Sequence, residues 1–192
     1  MDTIQRQKAA LRREAAAAEA ALTSSERHLS DDAILRHVLH TPEYRRAGTV
    51  FAFVGRGSEI DTTPLLRQVL ADGKRLCVPL CTAPGIMESR QVLALSELAP
   101  GAYGIPEPPA DRPAADPGGY AATLALIPCL AAGTDGVRLG RGGGYYDRFL
   151  AQYKGERLLL CPAAALLADL PDDDWDVRFA PDEILTEKGI LR

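Results

Sequence analysis

Short apolar runs, separated by segments that favour helices, constrain the fold of this chain more than any other feature of its sequence. They have the length of β-strands and little of the polar alternation that marks a strand with one face in water. Continuous apolar strands of this kind are typical of a parallel sheet that is covered on both faces. The pattern predicts an α/β fold with three layers, α/β/α, and a largely parallel central sheet. The predicted strands are residues 49–54, 76–79, 124–128, 157–161 and 183–186.

Helices are predicted between these strands from composition and from capping residues. Residues 4–21 are rich in alanine, with arginine, lysine and glutamate interspersed. This composition favours a helix. Thr23 and Glu26 form a capping box that starts a second helix. Proline and glycine are frequent in residues 99–119, which predicts a surface loop with little regular structure. With no internal repeat or domain boundary, residues 1–192 are predicted to form a single domain. The predicted helices are residues 4–21, 24–40, 62–72 and 145–153.

The charge balance restricts the partners of the chain. A formal net charge of −4 argues against nucleic acid as the main partner, because binding to the phosphate backbone needs a basic surface. No apolar run has the length of a membrane span, and the first residues lack the apolar core of a signal peptide. These features predict a cytoplasmic protein that binds small molecules and no membrane, as a monomer or a homodimer.

The cysteines contain no CxxC pair, and three of them lie in apolar stretches that resemble buried strands. Reduced thiols are therefore favoured over a metal site made by Cys77, Cys81 and a histidine, since no second ligand pair has zinc spacing. His37 and His40 share a helix face without a carboxylate or cysteine partner, and are interpreted as surface residues. The four cysteines are Cys77, Cys81, Cys129 and Cys161.

Residues 138–148, RLGRGGGYYDR, form what we call the glycine-arginine loop. Glycines let a backbone approach a ligand closely, and arginines donate charge-assisted hydrogen bonds to phosphate. Asp147 is the kind of oxygen ligand that Mg²⁺ prefers. Parallel sheets bind ligands where their strands end, so this loop and residues 55–61 are expected to frame one cleft. The loop predicts a nucleotide-phosphate site; an exposed glycine-rich hairpin is the alternative, since it matches neither standard phosphate-binding motif.

The glycine-arginine loop resembles the signature of the 5-formyltetrahydrofolate cyclo-ligase family. The family often carries Phe-Asp where this chain has residues 132–135, and some members carry lysine at Gly143. The resemblance implies an enzyme that uses ATP and Mg²⁺ to convert 5-formyltetrahydrofolate to 5,10-methenyltetrahydrofolate. ADP and phosphate are the implied products, and an iminium phosphate is the implied intermediate. Further segments that resemble the family, in the same order, are residues 8–12, 59–62, 103–108, 175–176 and 182–187.

The resemblance also implies roles for individual residues. Arg141, Arg138 and Lys8 are expected to act on the transferring phosphoryl group, and Asp147 and Asp182 to hold Mg²⁺. The residues expected to contact the folate are Glu59, Asp61, Arg56 and Tyr145. Those expected to bind ATP are Lys8, Ala9, Ala10, Leu11, Arg12, Arg138, Leu139, Gly140, Arg141, Gly142, Gly143, Gly144, Tyr145 and Tyr146.

Several of these residues have ordinary alternative roles. Lys8 and Arg12 fit a solvated helix face, and Asp147 fits a carboxylate that complements a helix dipole. Asp182 fits a surface residue of an acidic tail, and residues 172–174 are interpreted as a solvated turn. Helix capping is the alternative role for Glu59 and Asp61.

Two other functions stay open beside the enzyme. A protein that binds folate or nucleotide without turnover is favoured only by the missing Phe-Asp and by Gly143. An RNA-associated relative built on the same domain is expected to carry a basic surface or an added recognition module, and the sequence shows neither.

Overall fold

The computed structural model describes residues 3–115 and 123–191. The helices are α1 (Thr3–Ala21), α2 (Ser24–His40), α3 (Pro42–Arg46), α4 (Thr63–Ala71) and α5 (Tyr145–Leu150). The strands are β1 (Thr49–Ala52), β2 (Arg75–Ala83), β3 (Ile86–Val92), β4 (Ala99–Pro100), β5 (Pro106–Glu107), β6 (Ala114–Ala115), β7 (Thr123–Pro128), β8 (Ala131–Gly133), β9 (Arg138–Leu139), β10 (Glu156–Leu160), β11 (Leu166–Leu167), β12 (Ile184–Thr186) and β13 (Gly189–Ile190).

The described residues form a central eight-stranded sheet in the order β13-β12-β10-β7-β1-β2-β3-β6. Its five middle strands, from β12 to β2, are parallel to one another. The pairings at both margins are antiparallel. Two small sheets accompany it, one with the order β11-β8-β9 and one that joins β4 to β5. The prediction of an α/β fold with a largely parallel sheet is confirmed.

Side chains of the sheet alternate between two apolar cores. One core joins the sheet to α2 and α4, and the other joins it to α5 and the chain around Phe179. Apolar residues on both faces explain why these strands read as continuous runs, because neither face meets water. The first core contains Val50, Leu76, Leu124 and Leu158; the second contains Phe51, Cys77, Ala125 and Leu159.

Local signals place α1, α2, α4 and α5 where helices were expected, whereas α3 was not predicted. The capping box is present: Oγ1 of Thr23 accepts the N–H of Glu26 at 3.2 Å, and the Glu26 carboxylate accepts the N–H of Thr23 at 2.9 Å. Pro42 and Pro64 both lie in the first turns of their helices, where a missing N–H costs nothing. Within the two described ranges, no helix combines the length and the apolarity needed to cross a membrane.

Three parts of the sequence-based outline need correction. The strand that ends at Pro128 does not lead straight into the glycine-arginine loop, because β8 lies between them and the first two residues of the loop form β9, which pairs with β8. The antiparallel strand β3 was not predicted, since its sequence, IMESRQV, lacks a continuous apolar run. The segment 99–119 is more regular than expected and contains β4, β5 and β6; its residues 116–119 lie outside the described residues.

Candidate active site

A cavity of about 360 Å³ opens at the edge of the sheet where the parallel strands end. Phe53 and Val54, directly after β1, line it together with Pro128, the last residue of β7. The loop after β1 and the glycine-arginine loop both contribute to its wall. The expectation that these two loops frame one cleft is confirmed, at the edge where such sheets bind ligands.

The glycine-arginine loop needs glycine at two positions. Gly142 has a φ of 91° and Gly144 a φ of 67°, values that side chains other than glycine rarely adopt. A Cβ atom on Gly142 would also lie 3.2 Å from Cζ of Arg12. The loop is therefore a bare stretch of backbone that faces the Arg12 guanidinium, and α5 begins directly after it at Tyr145.

Arg138 is a buried cation that is fixed beside this loop. Only 7% of the residue is exposed. Its Nη1 donates to the Pro128 carbonyl at 3.0 Å, and its Nη2 donates to both carboxylate oxygens of Asp147 at 3.2 Å. The ring of Tyr146 lies 5.4 Å from its Cζ. Arg138 is therefore a preorganised positive charge in the cavity wall.

Arg141 joins the glycine-arginine loop to the loop after β1. Its Nε donates to Oε1 of Glu59 at 2.8 Å, and the other oxygen of Glu59 accepts the N–H of Arg56 at 3.1 Å. The Arg141 side chain is 56% exposed, whereas that of Glu59 is 15% exposed. The guanidinium is thus the exposed member of this pair, where an anion in the cavity can reach it, and the Glu59 carboxylate is largely shielded from water.

Lys8 on α1 is buried in the cavity wall, with 2% of the residue exposed. Its Nζ donates to Asp173 at 2.7 Å and also contacts Asp176. It lies 5.3 Å from the centre of the Trp175 ring. Burial lowers the pKa of Lys8, but the hydrogen bonds to the two carboxylates outweigh it, so the net pKa is raised and the ammonium stays charged. Lys8 fixes α1 to the segment that contains residues 173–176.

Arg12, one helical turn after Lys8, contacts the glycine-arginine loop directly. Its Nε donates to the carbonyl of Gly140 at 2.8 Å, and both residues line the cavity. The interpretation of Lys8 and Arg12 as a solvated helix face is therefore wrong. The solvated turn proposed for residues 172–174 is also wrong at Asp173, whose carboxylate accepts from Lys8 and from Gln5.

A model of the 5-formyltetrahydrofolate cyclo-ligase family matches residues 4–187. The chain belongs to this family. The match includes every part of the cavity wall described above, from α1 to residues 173–176. The predictions that rested on the resemblance, of the family and of an enzyme within it, are confirmed.

Relatives with similar sequences carry the name of the family. The 5-formyltetrahydrofolate cyclo-ligase of Mycolicibacterium smegmatis is 35% identical over 150 residues, which cover 74% of this chain and 76% of the relative. That of Escherichia coli is 30% identical over 162 residues, which cover 82% and 88%. The structure of Aquifex aeolicus 5,10-methenyltetrahydrofolate synthetase, solved by NMR, superposes with a TM-score of 0.84 at 29% identity, covering 96% of this chain and 92% of that one.

Two tyrosines meet at the mouth of the cavity in this cyclo-ligase family member. The hydroxyl groups of Tyr103 and Tyr145 are 2.9 Å apart, and their rings are arranged edge to face at 6.1 Å. Tyr103 is exposed and has a φ of 57°. It was not predicted as a site residue, although it begins the segment 103–108 that resembles the family. Its place in that segment was the available signal.

Cys81 lines the cavity, but its thiol is poorly suited to act as a nucleophile. Burial, together with the nearby Glu107 carboxylate, raises the pKa of Cys81 to about 11. The Glu107 carboxylate also accepts the backbone N–H of Cys81 at 3.1 Å. A thiol with this pKa is almost fully protonated at neutral pH, and only the thiolate is a good nucleophile. Cys81 is therefore not assigned a catalytic role.

Several residues predicted for the site lie outside the cavity wall. The Asp61 carboxylate accepts the N–H of Thr63 at 2.9 Å and so caps α4, which is the alternative role stated for it. Asp182 is exposed on the turn at residues 181–183, and the structure does not bring it to Asp147 in the cavity. Helix geometry turns Ala9 and Ala10 away from the cavity, and Leu11 packs against the small core around Leu139. The resemblance placed these residues near the site by sequence position, which does not determine the direction of a side chain.

The departure from the family at Gly143 has a structural correlate. A Cβ atom on Gly143 would lie 2.7 Å from the ring of Tyr145, so a lysine there requires that ring to move. Arg12 already brings a guanidinium to the neighbouring Gly142. A positive charge from α1 therefore lies beside this part of the loop even though position 143 carries none.

Proposed function

We propose that this chain catalyses the ATP-dependent conversion of 5-formyltetrahydrofolate to 5,10-methenyltetrahydrofolate, with release of ADP and phosphate. The main support is the pair of arginines on the glycine-arginine loop. Arg138 is fixed and buried, whereas Arg141 is exposed and paired with Glu59. One cavity thus combines a preorganised cation, a movable cation and an acidic group for the second substrate.

The proposed reaction converts a poor leaving group into a good one. The formyl oxygen attacks the γ-phosphorus of ATP, an O–P bond forms, and the bond to the β-phosphate oxygen breaks to release ADP. The formyl group becomes an iminium phosphate. N10 of the folate then attacks the formyl carbon, phosphate departs with the electrons of the C–O bond, and the N10 proton is released. Phosphoryl transfer of this kind needs positioning and charge neutralisation more than covalent help from the protein.

Three arginines supply that charge neutralisation in the proposed mechanism. The backbone of residues 140–144 lies against the phosphates, and Arg138 and Arg12 stabilise their charge from the two sides of the loop. Arg141 leaves Glu59 and contacts the γ-phosphoryl group as it transfers. Lys8 is a positioning residue here, because its ammonium is held by Asp173 and Asp176.

The folate is proposed to bind at the other side of the cavity. Glu59, released by Arg141, accepts hydrogen bonds from the N–H donors of the pterin edge. Tyr145 and Tyr103 provide apolar ring surface at the mouth of the cavity, suited to the flat pterin or to the ring that follows it. Arg56 lies beside them and carries a charge that suits the carboxylates of the folate tail.

Magnesium is proposed to arrive with ATP. The described part of the chain contains no group of three His, Cys, Asp or Glu side chains that could hold a metal ion. The residues still fit this ion, because Mg²⁺ commonly keeps phosphate and water ligands and takes only one or two carboxylates from the protein. Asp147 is the carboxylate in place, and Arg138 orients it. The ion supplies charge neutralisation on the phosphates.

The cytoplasmic location, and the choice of monomer or homodimer, stay predictions.

The function is tested by mixing the protein with Mg-ATP and 5-formyltetrahydrofolate and following the ultraviolet absorption of the methenyl product. We expect one ADP for each methenyl product formed, and no product with a non-hydrolysable ATP analogue. A folded protein that binds both ligands in calorimetry but forms neither ADP nor product would instead support the binding protein without turnover.

Gly142→Ala tests the role of the bare loop. The new Cβ meets the Arg12 guanidinium at 3.2 Å, so we expect KM for ATP to rise by about tenfold, the loss typical of one charge-assisted hydrogen bond. The matched control is Gly73→Ala, because Gly73 also has positive φ, 70°, but open space around it. Both variants carry the backbone strain of about 1–2 kcal/mol. Equal KM values for ATP in the two variants would contradict the proposal that Arg12 and the backbone at Gly142 contact the ATP phosphates.

A further inference from the structure

Cys129 and Cys161 follow two neighbouring parallel strands. Leu160, the last residue of β10, pairs with Pro128, the last residue of β7, so the two cysteines come next in the register. Cys161 belongs to the apolar core on the α5 side of the sheet, and Cys129 packs against the same core. Their side chains therefore lie on the same face of the sheet.

The two thiols are close enough to interact. Neighbouring strands lie about 4.8 Å apart, inside the range of roughly 4.4–6.8 Å between Cα atoms that a disulfide spans. The Cys129 thiol donates to the Leu160 carbonyl at 3.5 Å, which shows that it leans towards β10. A side-chain hydrogen bond with Cys129, together with burial, raises the pKa of the Cys161 thiol well above its ordinary range. A disulfide between them therefore needs no change in the pairing of β7 with β10.

The two thiols differ in their access to solvent. Cys129 lines the cavity and is half-buried, whereas Cys161 is fully buried. A small oxidant can therefore reach Cys129 through the cavity, and Cys161 is placed behind it as the second thiol. Of the other two cysteines, Cys81 shares the cavity wall and Cys77 is fully buried.

We propose that Cys129 and Cys161 form a redox-sensitive pair, which a peroxide converts to a disulfide and a dithiol reduces again. The Cys129 sulfur takes one oxygen atom from the peroxide, which leaves as water (for hydrogen peroxide), and becomes a sulfenic acid. The Cys161 thiol gives up its proton and attacks this sulfur as a thiolate; the S–S bond forms, the S–O bond breaks, and the departing oxygen takes up that proton and leaves as a second water. The raised pKa of Cys161 keeps its thiolate fraction small at neutral pH, so this step is slow there. Two thiols and one peroxide thus give one disulfide and two waters.

Oxidation of this pair has a direct route to the phosphate site. The Pro128 carbonyl, adjacent to Cys129 in the chain, accepts the hydrogen bond from Nη1 of Arg138 at 3.0 Å. Drawing Cys129 towards β10 moves this carbonyl and loosens one of the contacts that fix Arg138. Weaker ATP binding in the oxidised form is the expected result. This effect on ATP rests on the proposed function, whereas formation of the disulfide does not.

The chemical part of the proposal is tested by mapping thiols after treatment with hydrogen peroxide. The unoxidised protein has four thiols, and we expect oxidation to leave two. Mass spectrometry of unreduced peptides is expected to find the peptides of Cys129 and Cys161 linked, with a loss of two hydrogen atoms. Cys129→Ser and Cys161→Ser should each abolish this link, while Cys77→Ser should retain it. A link from Cys129 to Cys81, or sulfinic acid without any link, would overturn the pairing.

The functional part is tested by measuring ATP binding by calorimetry before and after oxidation. We expect the Kd for ATP to rise by about tenfold or more, as for the loss of a charge-assisted hydrogen bond, and to recover with dithiothreitol. Cys161→Ser should show no peroxide effect. If the disulfide is mapped but the Kd for ATP is unchanged, the proposed effect of oxidation on ATP binding is wrong, whereas the pairing of Cys129 with Cys161 stands. If the reduced protein binds no ATP, the proposed function fails, and the peptide map still decides the disulfide.

Discussion

Replacing Arg141 with alanine is expected to lower kcat/KM for cyclisation by about 10³-fold, the lower end of what a phosphoryl-contacting arginine contributes. The side chain is more than half exposed and is paired with Glu59, so the free energy of unfolding is expected to change by less than about 0.5 kcal/mol. Stopped-flow absorption of the methenyl product measures the first effect, and urea unfolding measures the second.

Two further variants separate charge from geometry in this result. Arg141→Lys keeps the charge but not the planar fork of donors, so we expect intermediate activity. Arg36→Ala removes an exposed arginine of α2, outside the cavity wall, and is expected to leave turnover unchanged. An Arg141→Ala variant with full activity would remove this residue from the mechanism.

Replacing Lys8 with methionine is expected to lower the free energy of unfolding by about 3–5 kcal/mol, the cost of breaking a buried ion pair by removing one partner. Methionine fills a similar volume but leaves the largely buried carboxylates of Asp173 and Asp176 without their cation. Urea unfolding followed by circular dichroism gives the free energy. The fluorescence of Trp175, the single tryptophan, reports on the same contact because its ring faces Lys8.

The Lys8→Met variant has three controls: a second lysine substitution, removal of the two carboxylates, and a change of pH. Lys154→Met removes an exposed lysine and is expected to change stability little. Adding Asp173→Asn and Asp176→Asn to Lys8→Met should recover part of the loss, since no buried charge is then left unpaired. Because the pKa of Lys8 is raised in the folded state, its contribution is present below the ordinary lysine pKa of 10.5 and is lost as pH rises through the raised value. A loss below 1 kcal/mol at neutral pH would show that the carboxylates find other partners.

The parts of the fold that follow from local pattern were predictable. The capping box of Thr23 and Glu26, and the apolar runs that became β1, β7 and β10, depend on neighbours within a few residues. The β8–β9 hairpin and the antiparallel strand β3 depend on pairings that such patterns do not contain. β3 in particular carries Glu88, Ser89 and Arg90 in its middle, so it has no continuous apolar run.

The parts of the site that lie within one sequence motif were predictable. The contacts between segments far apart in the sequence were not. The glycine-arginine loop and Glu59 line the same cavity. This was expected, because they follow parallel strands that end at the same edge of the sheet. The partners of Lys8 could not be predicted, because Asp173 lies 165 residues away in the sequence. Asp182 shows the opposite difficulty, since similarity to a family segment says nothing about which way an exposed carboxylate points.

The wall of the cavity is built from segments that lie far apart in the sequence. Lys8 joins α1 to Asp173 and Asp176 across 165 and 168 residues of sequence, and Arg12 joins it to Gly140 across 128. On the ribosome, α1 emerges before these partners and cannot pair with them until at least 128 further residues have been made. A nascent chain can thus form part of its sheet early, but the cavity wall is incomplete until the segment around residues 173–176 has left the exit tunnel.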